Sequence, residues 1–149
     1  MVFIGIIIGA GICSHFLYQI MLIQGDSMEP NYHNMQLVIL KKRFTEQSLR
    51  PGDVIAYRCE GLHAVIVKRI AAVPGQTAVI TDETLYVDGR PSGLYEENSF
   101  LYSGLLEKEL VLQSKEYILI GDNISESKDS RYSEVGTASF DSIIGKVIF

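Results

Sequence analysis

The chain opens on an apolar run and then changes rhythm. From Val2 to Ile23 the positions are dominated by Ile, Leu, Gly, Val and Phe, with Ser14, His15, Tyr18 and Gln19 as polar interruptions. At ~1.5 Å per residue, a helix of about 22 residues crosses a ~30 Å hydrocarbon core. The pattern therefore predicts a transmembrane anchor over residues 1–23. A cleavable leader has a shorter apolar region followed by a small-x-small site; Leu22-Ile23-Gln24 does not fit, so the anchor reads as uncleaved. Beyond it, short apolar stretches alternate with turn residues. Met35–Lys41 and Val54–Tyr57 read as strands, separated by the turn signal Arg50-Pro51-Gly52-Asp53. His63–Val73 is a longer run broken only by Lys68 and Arg69, and Pro74-Gly75 ends it. Ile80–Val87 reads as a strand entering a hairpin at Asp88-Gly89. Leu105–Leu112 suits a short helix or a strand, and Tyr117–Ile120 and Ile143–Phe149 complete the set. Frequent turns and few helical repeats predict a mainly β fold, a barrel or sandwich, after one N-terminal transmembrane helix.

Composition narrows the partners. The chain has 149 residues, enough for one domain, and a formal net charge of −5. Residues 1–24 hold no Asp, Glu, Lys or Arg, so the charge lies in the domain over residues 24–149. An acidic domain without a basic run argues against nucleic acid. Cys13 lies in the apolar segment and Cys59 beyond it, a poor pair for a disulfide, and no Cys/His spacing predicts a metal site. Lys41, Lys42 and Arg43 come after the apolar segment, and by the positive-inside tendency they favour a cytoplasmic domain. They begin 18 residues beyond Ile23, near the limit of that rule's reach.

Three stretches carry candidate chemistry. The first is Gln24-Gly25-Asp26-Ser27-Met28-Glu29-Pro30, which presents a hydroxyl on a tight turn beside the membrane exit. Alone, it also reads as an ordinary juxtamembrane loop. The second is Lys68. Alternation puts it on one strand face with Ala64, Ile66, Ile70 and Ala72, and puts His63, Val65, Val67, Arg69 and Ala71 on the other. Burial lowers a lysine pKa from ~10.4, by up to ~3–5 units when complete, and a neutral lysine is a general base. An edge lysine that snorkels to water reads equally well on this strand alone. A Ser-His-Asp triad finds no partner: His15 lies in the anchor, His33 in a polar loop, and His63 opposite Lys68. Ser27 with Lys68 is the remaining nucleophile–base pair. The third stretch, Gly121 to Arg131, is a polar loop in which Asp129 and Arg131 suit an ion pair and a serine suits orienting the Lys68 amine. Alone, it reads as a solvated turn.

Together and in this order, the stretches resemble the type I signal peptidase (leader peptidase) family of membrane-anchored Ser/Lys serine proteases, in a short form like that of Gram-positive members. The matching boxes are Gly25-Asp26-Ser27-Met28-Glu29-Pro30, then Arg50-Pro51-Gly52-Asp53-Val54-Ile55, then Val67-Lys68-Arg69-Ile70 with Val73-Pro74-Gly75. The last is Gly121-Asp122-Asn123 with Ser127 and Asp129-Ser130-Arg131, and Ile144-Gly145-Lys146-Val147 also fits. The resemblance implies Ser27 as nucleophile and Lys68 as base, with Ser127 orienting Lys68 and Asp129–Arg131 as a supporting ion pair. It implies supporting positions at Gly25 and Met28, and an oxyanion hole that includes the Ser27 backbone N–H. It also implies a small β extension within about residues 76–116, in place of a larger second domain. Some members carry a serine where this chain has Gly25, and many carry Arg where it has Ile124. Losing one oxyanion donor costs ~2.7–4 kcal/mol in other hydrolases. The implied partners are exported preproteins and membrane lipid, with no cofactor. The implied activity is cleavage after small-x-small motifs on the extracytoplasmic face of the cell membrane. A non-catalytic assembly factor for surface fibres is the alternative; intact Ser27 and Lys68 count against it. A self-cleaving regulator with a similar dyad fits less well, because the anchor occupies the place of a DNA-binding region.

Overall fold

A computed structural model describes residues 17–95 and 99–148. Among the described residues, eleven strands form two antiparallel sheets. The strands are β1 (Tyr18–Leu22), β2 (Leu37–Lys41), β3 (Val54–Cys59), β4 (Ala64–Ala72), β5 (Thr77–Thr81) and β6 (Thr84–Val87), followed by β7 (Arg90–Pro91), β8 (Leu110–Val111), β9 (Glu116–Ile120), β10 (Ala138–Ser139) and β11 (Ile143–Val147). The larger sheet runs β1-β2-β11-β3-β4-β9-β10, and the smaller runs β7-β6-β5-β8 within residues 77–111.

Three local readings of the sequence differ from the structure. Most of the apolar N-terminal segment, His15 and Cys13 included, lies outside the described residues. Its last part is not helical: Tyr18–Leu22 pairs with β2 from Tyr18↔Lys41 to Leu22↔Leu37. Aromatic and β-branched residues suit a strand as well as a membrane helix, and pairing with β2 satisfies the backbone. Among the described residues no helix is long and apolar enough to cross a membrane. The Ile80–Val87 run is not one strand but a hairpin turned at Asp82-Glu83. Both turn residues have positive φ, 48° and 60°, as a two-residue primed turn requires. Leu105–Leu112 is neither helix nor strand throughout: a 3-10 turn over Gly104–Glu107 precedes β8.

Burial on both faces explains why the central strands read as continuous apolar runs. On β3, Ile55 and Tyr57 pack with Ile70, Tyr117 and Leu119, while Val54 and Ala56 face Met28, Val38 and Leu40. On β9, Ile118 and Ile120 turn to a third cluster with Ile80, Leu85 and Phe100 of the smaller sheet and its loops. Ile124 joins that cluster, so its side chain is here part of the core. Cys59 is a buried free thiol.

Candidate active site

The serine turn is fixed from several sides. Gly25 has φ +87°, and no atom lies within 4 Å of where a Cβ would stand. The glycine is thus required by the backbone, not by crowding. Its N–H donates to Asn34 Oδ1 at 3.0 Å, the Glu29 N–H donates to Asp26 O at 3.1 Å, and the Tyr32 N–H donates to Met28 O at 2.9 Å. Met28, 1% exposed, inserts into the core and pins the turn to β2 and β3.

Lys68 reaches this turn from β4. It pairs with Ile55 on one side, whereas β9 begins pairing only at Arg69. Among the described residues, the other edge of Ala64–Lys68 therefore carries no strand. A cleft runs along it, with Met21–Met28 on one wall, Leu62 and Ala64–Lys68 on the other, and Glu126 and Lys128 at the rim. Lys68 is 3% exposed, and its Nζ lies 2.5 Å from Ser27 Oγ. Burial pushes its pKa down to about 8; Asp129 and Asp122 pull it up, and Arg131 pushes it down. Of the four apolar neighbours expected on its own face, only Ile70 and Ala72 are fully buried. Ala64 is exposed and Ile66 only half-buried, and Lys68 is covered where the serine turn meets it.

The loop after β9 closes round Arg131. The guanidinium is 2% exposed and donates to both Asp129 oxygens, Nε to Oδ1 at 2.8 Å and Nη2 to Oδ2 at 2.9 Å. It also donates to the carbonyls of Ile124 and Ser127. Asp129 Oδ2 accepts the Gly121 N–H, and Ser130 Oγ accepts the Leu119 N–H. Ser127 is buried, but its hydroxyl has no hydrogen-bond partner among the described residues, so the bond to Lys68 implied by the resemblance is not formed here. The hydroxyl packs instead on Gly121, where an added Cβ would fall 2.2 Å from Ser127 Oγ and 2.5 Å from Ser27 O. No histidine among the described residues hydrogen-bonds Ser27. His33 pairs with Glu29 at 2.6 Å on the surface, and His63 sits in the exposed turn before β4.

The 2.5 Å contact would suit a nucleophile and its base, and in that role Lys68 would carry a pH response. A lysine accepts a proton only when neutral, so activity should rise about ten-fold per pH unit below the Lys68 pKa and level off above it. With that pKa pushed down to about 8, the midpoint should fall near 8, well below the 10.5 of a free lysine. Initial rates measured across pH check this; a midpoint near 10 would remove Lys68 from the role.

The sequence pattern of the family described as "Signal peptidase, peptidase S26" matches residues 1–149. The chain belongs to that family. It is 28% identical over 144 residues to Signal peptidase I T of Bacillus subtilis (strain 168), covering 88% of this chain and 72% of that one. It is 29% identical over 144 residues to Signal peptidase IB of Staphylococcus aureus (strain COL), covering 85% and 74%. A crystal structure of a signal peptidase I from Enterococcus faecalis V583 superposes with TM-score 0.51 at 23% identity, covering 68% of this chain and 97% of that one. That likeness establishes the mainly β fold. As a member of the signal peptidase family, the chain is a serine endopeptidase.

Four residues of the site received no role from the sequence. Arg69 forms a two-pronged pair with Asp122, at 2.7 Å and 2.5 Å, and also donates to Gly52 O. Asn31 Nδ2 donates to Asp122 Oδ2 at 2.9 Å, tying the serine turn to the same carboxylate. Asn123 contacts the turn directly. Periodicity places Arg69 on a strand and Asp122 in the loop after another, and says nothing of their meeting; only the family boxes, which contain both, flag them. Lys146 pairs with Asp53 at 2.7 Å, joining two further boxes.

Proposed function

We propose that this chain is a membrane-anchored Ser/Lys endopeptidase that removes signal peptides from exported preproteins, with Ser27 as nucleophile and Lys68 as general base. The 2.5 Å contact between Ser27 Oγ and a buried amine, at the end of an open strand edge, carries the reading. The substrate adds as a strand beside Ala64–Lys68, with main-chain bonds for affinity and shallow apolar pockets for small side chains. Ser27 Oγ attacks the scissile carbonyl as its proton passes to neutral Lys68 Nζ, and the oxyanion is met by the Ser27 N–H. The tetrahedral intermediate collapses to an ester, and Nζ–H gives its proton to the leaving amine. Water then attacks the ester, losing its proton to Nζ, and Ser27 is regenerated. The free hydroxyl of Ser127 supports a role in donating to Nζ once it is neutral. The buried Asp129–Arg131 pair supports a fixed loop behind it.

Membrane attachment rests on the apolar composition of residues 1–16 and on the strand pair next to them in the chain. Tyr18, Ile20 and Leu37 are 43%, 69% and 64% exposed on one face of β1–β2, an apolar surface that begins where the segment ends. The domain faces outward, where exported substrates emerge. Purified chain in detergent should cut a preprotein once, after a small-x-small motif, as read by mass spectrometry. Protease added to intact cells should digest the domain. An uncut preprotein would overturn the activity, and a protected domain would overturn the orientation.

A further inference from the structure

Ser27 is bracketed by one residue. The Asn123 carboxamide Nδ2 donates to Asp26 O at 3.2 Å, and the Asn123 backbone N–H donates to Ser27 O at 3.1 Å. These are the carbonyls of the two peptide groups that flank the nucleophile. The Asp26 carbonyl belongs to the peptide whose N–H is that of Ser27. In a trans peptide the C=O and N–H point in opposite directions, so fixing the oxygen fixes where the N–H points. Among the described residues that N–H has no acceptor. The Asn123 amide is itself oriented, because the Ser125 hydroxyl donates to its Oδ1 at 3.0 Å and leaves Nδ2 facing Asp26.

We propose that Asn123 is a positioning residue for the oxyanion hole, holding the Asp26–Ser27 peptide so that the Ser27 N–H faces the developing oxyanion. Gly25 has no side chain to donate beside this N–H. A hydrogen bond accepted by Asp26 O also polarises the peptide and strengthens its N–H as a donor. The inference rests on Ser27 being the nucleophile.

The test is steady-state kinetics on the full chain in detergent, with a peptide spanning the cleavage site, for Asn123→Ala, Asn123→Asp, Ser125→Ala and the double Ala variant. Asn123→Ala should lower kcat about ten-fold, near the upper end for one neutral hydrogen bond. KM should stay within about two-fold, because the bond acts on the transition state. The pH midpoint should not move, since Lys68 is untouched. Asn123→Asp keeps the shape but replaces the donor with a carboxylate, so at neutral pH it should lose at least as much. Ser125→Ala should lower kcat about two- to three-fold, and the double variant should match Asn123→Ala, because the serine acts through the amide. A kcat for Asn123→Ala within two-fold of the parent would overturn the role, as would a loss that comes with a raised KM or a shifted midpoint. Ser27→Ala is run alongside. If it is inactive while Asn123→Ala is normal, only the positioning role falls; if it is active, the nucleophile assignment falls first.

Discussion

Ser27→Ala and Lys68→Ala should each lower cleavage by roughly 10⁴- to 10⁶-fold, the range seen when a nucleophile or its base is removed from other serine hydrolases. The two side chains, 2.5 Å apart, handle one proton between them, so removing the second should cost little once the first is gone. Lys68→Met separates chemistry from folding. Folded Lys68 titrates near 8 and an unfolded lysine near 10.5, so the unfolded chain binds more protons between those values. Stability therefore rises with pH across that window. Below about pH 8 the residue opposes folding by about 3 kcal/mol, the equivalent of its shift. Methionine keeps the stem and removes the charge, so the inactive variant should be at least as stable as the parent at neutral pH. Chemical denaturation in detergent near pH 7 and near pH 10 reads this. A clear loss of stability at both pH values would mark Lys68 as a charged structural residue, and full activity in either alanine variant would break the dyad.

What the sequence made legible follows the physics of each element. Central strands buried on both faces leave long apolar runs, and β3, β4, β9 and β11 could be read from them within a residue or two. The hairpin at Asp82-Glu83 could not, because its positive-φ positions carry neither glycine nor asparagine. β1 could not, because an apolar edge strand and the end of an apolar helix have the same composition. At the site, Ser27 and Lys68 were candidates as a turn hydroxyl and as a cation within an apolar strand, and only the order of the boxes set them above a plain loop and a snorkelling lysine. Arg69, Asp122, Asn31 and Asn123 were not candidates, since their meaning is a meeting across 53, 91 and 97 positions of sequence that no local pattern encodes.

The Asp129–Arg131 pair gives a prediction in which stability and chemistry move independently. Both side chains are almost fully buried, and each satisfies the other and the loop around it. Removing one partner strands the other's charge away from water, which costs about 3–5 kcal/mol. That is a large share of the ~5–15 kcal/mol that holds a domain folded. Asp129→Asn and Arg131→Met should therefore both lower the denaturation midpoint. Their effects on Lys68 have opposite signs. Burial is the main cause of its low pKa; Asp129 opposes that shift, and Arg131 adds to it. Without the Asp129 charge the amine should lose its proton more easily, moving the activity midpoint to lower pH. Without the Arg131 charge the midpoint should move to higher pH. Rate–pH curves measured at a temperature where both variants remain folded decide the matter. Equal denaturation midpoints for variants and parent would mean the pair is solvated. Shifts in the same direction would mean the loop acts on Lys68 by changing its burial, and not through the two charges.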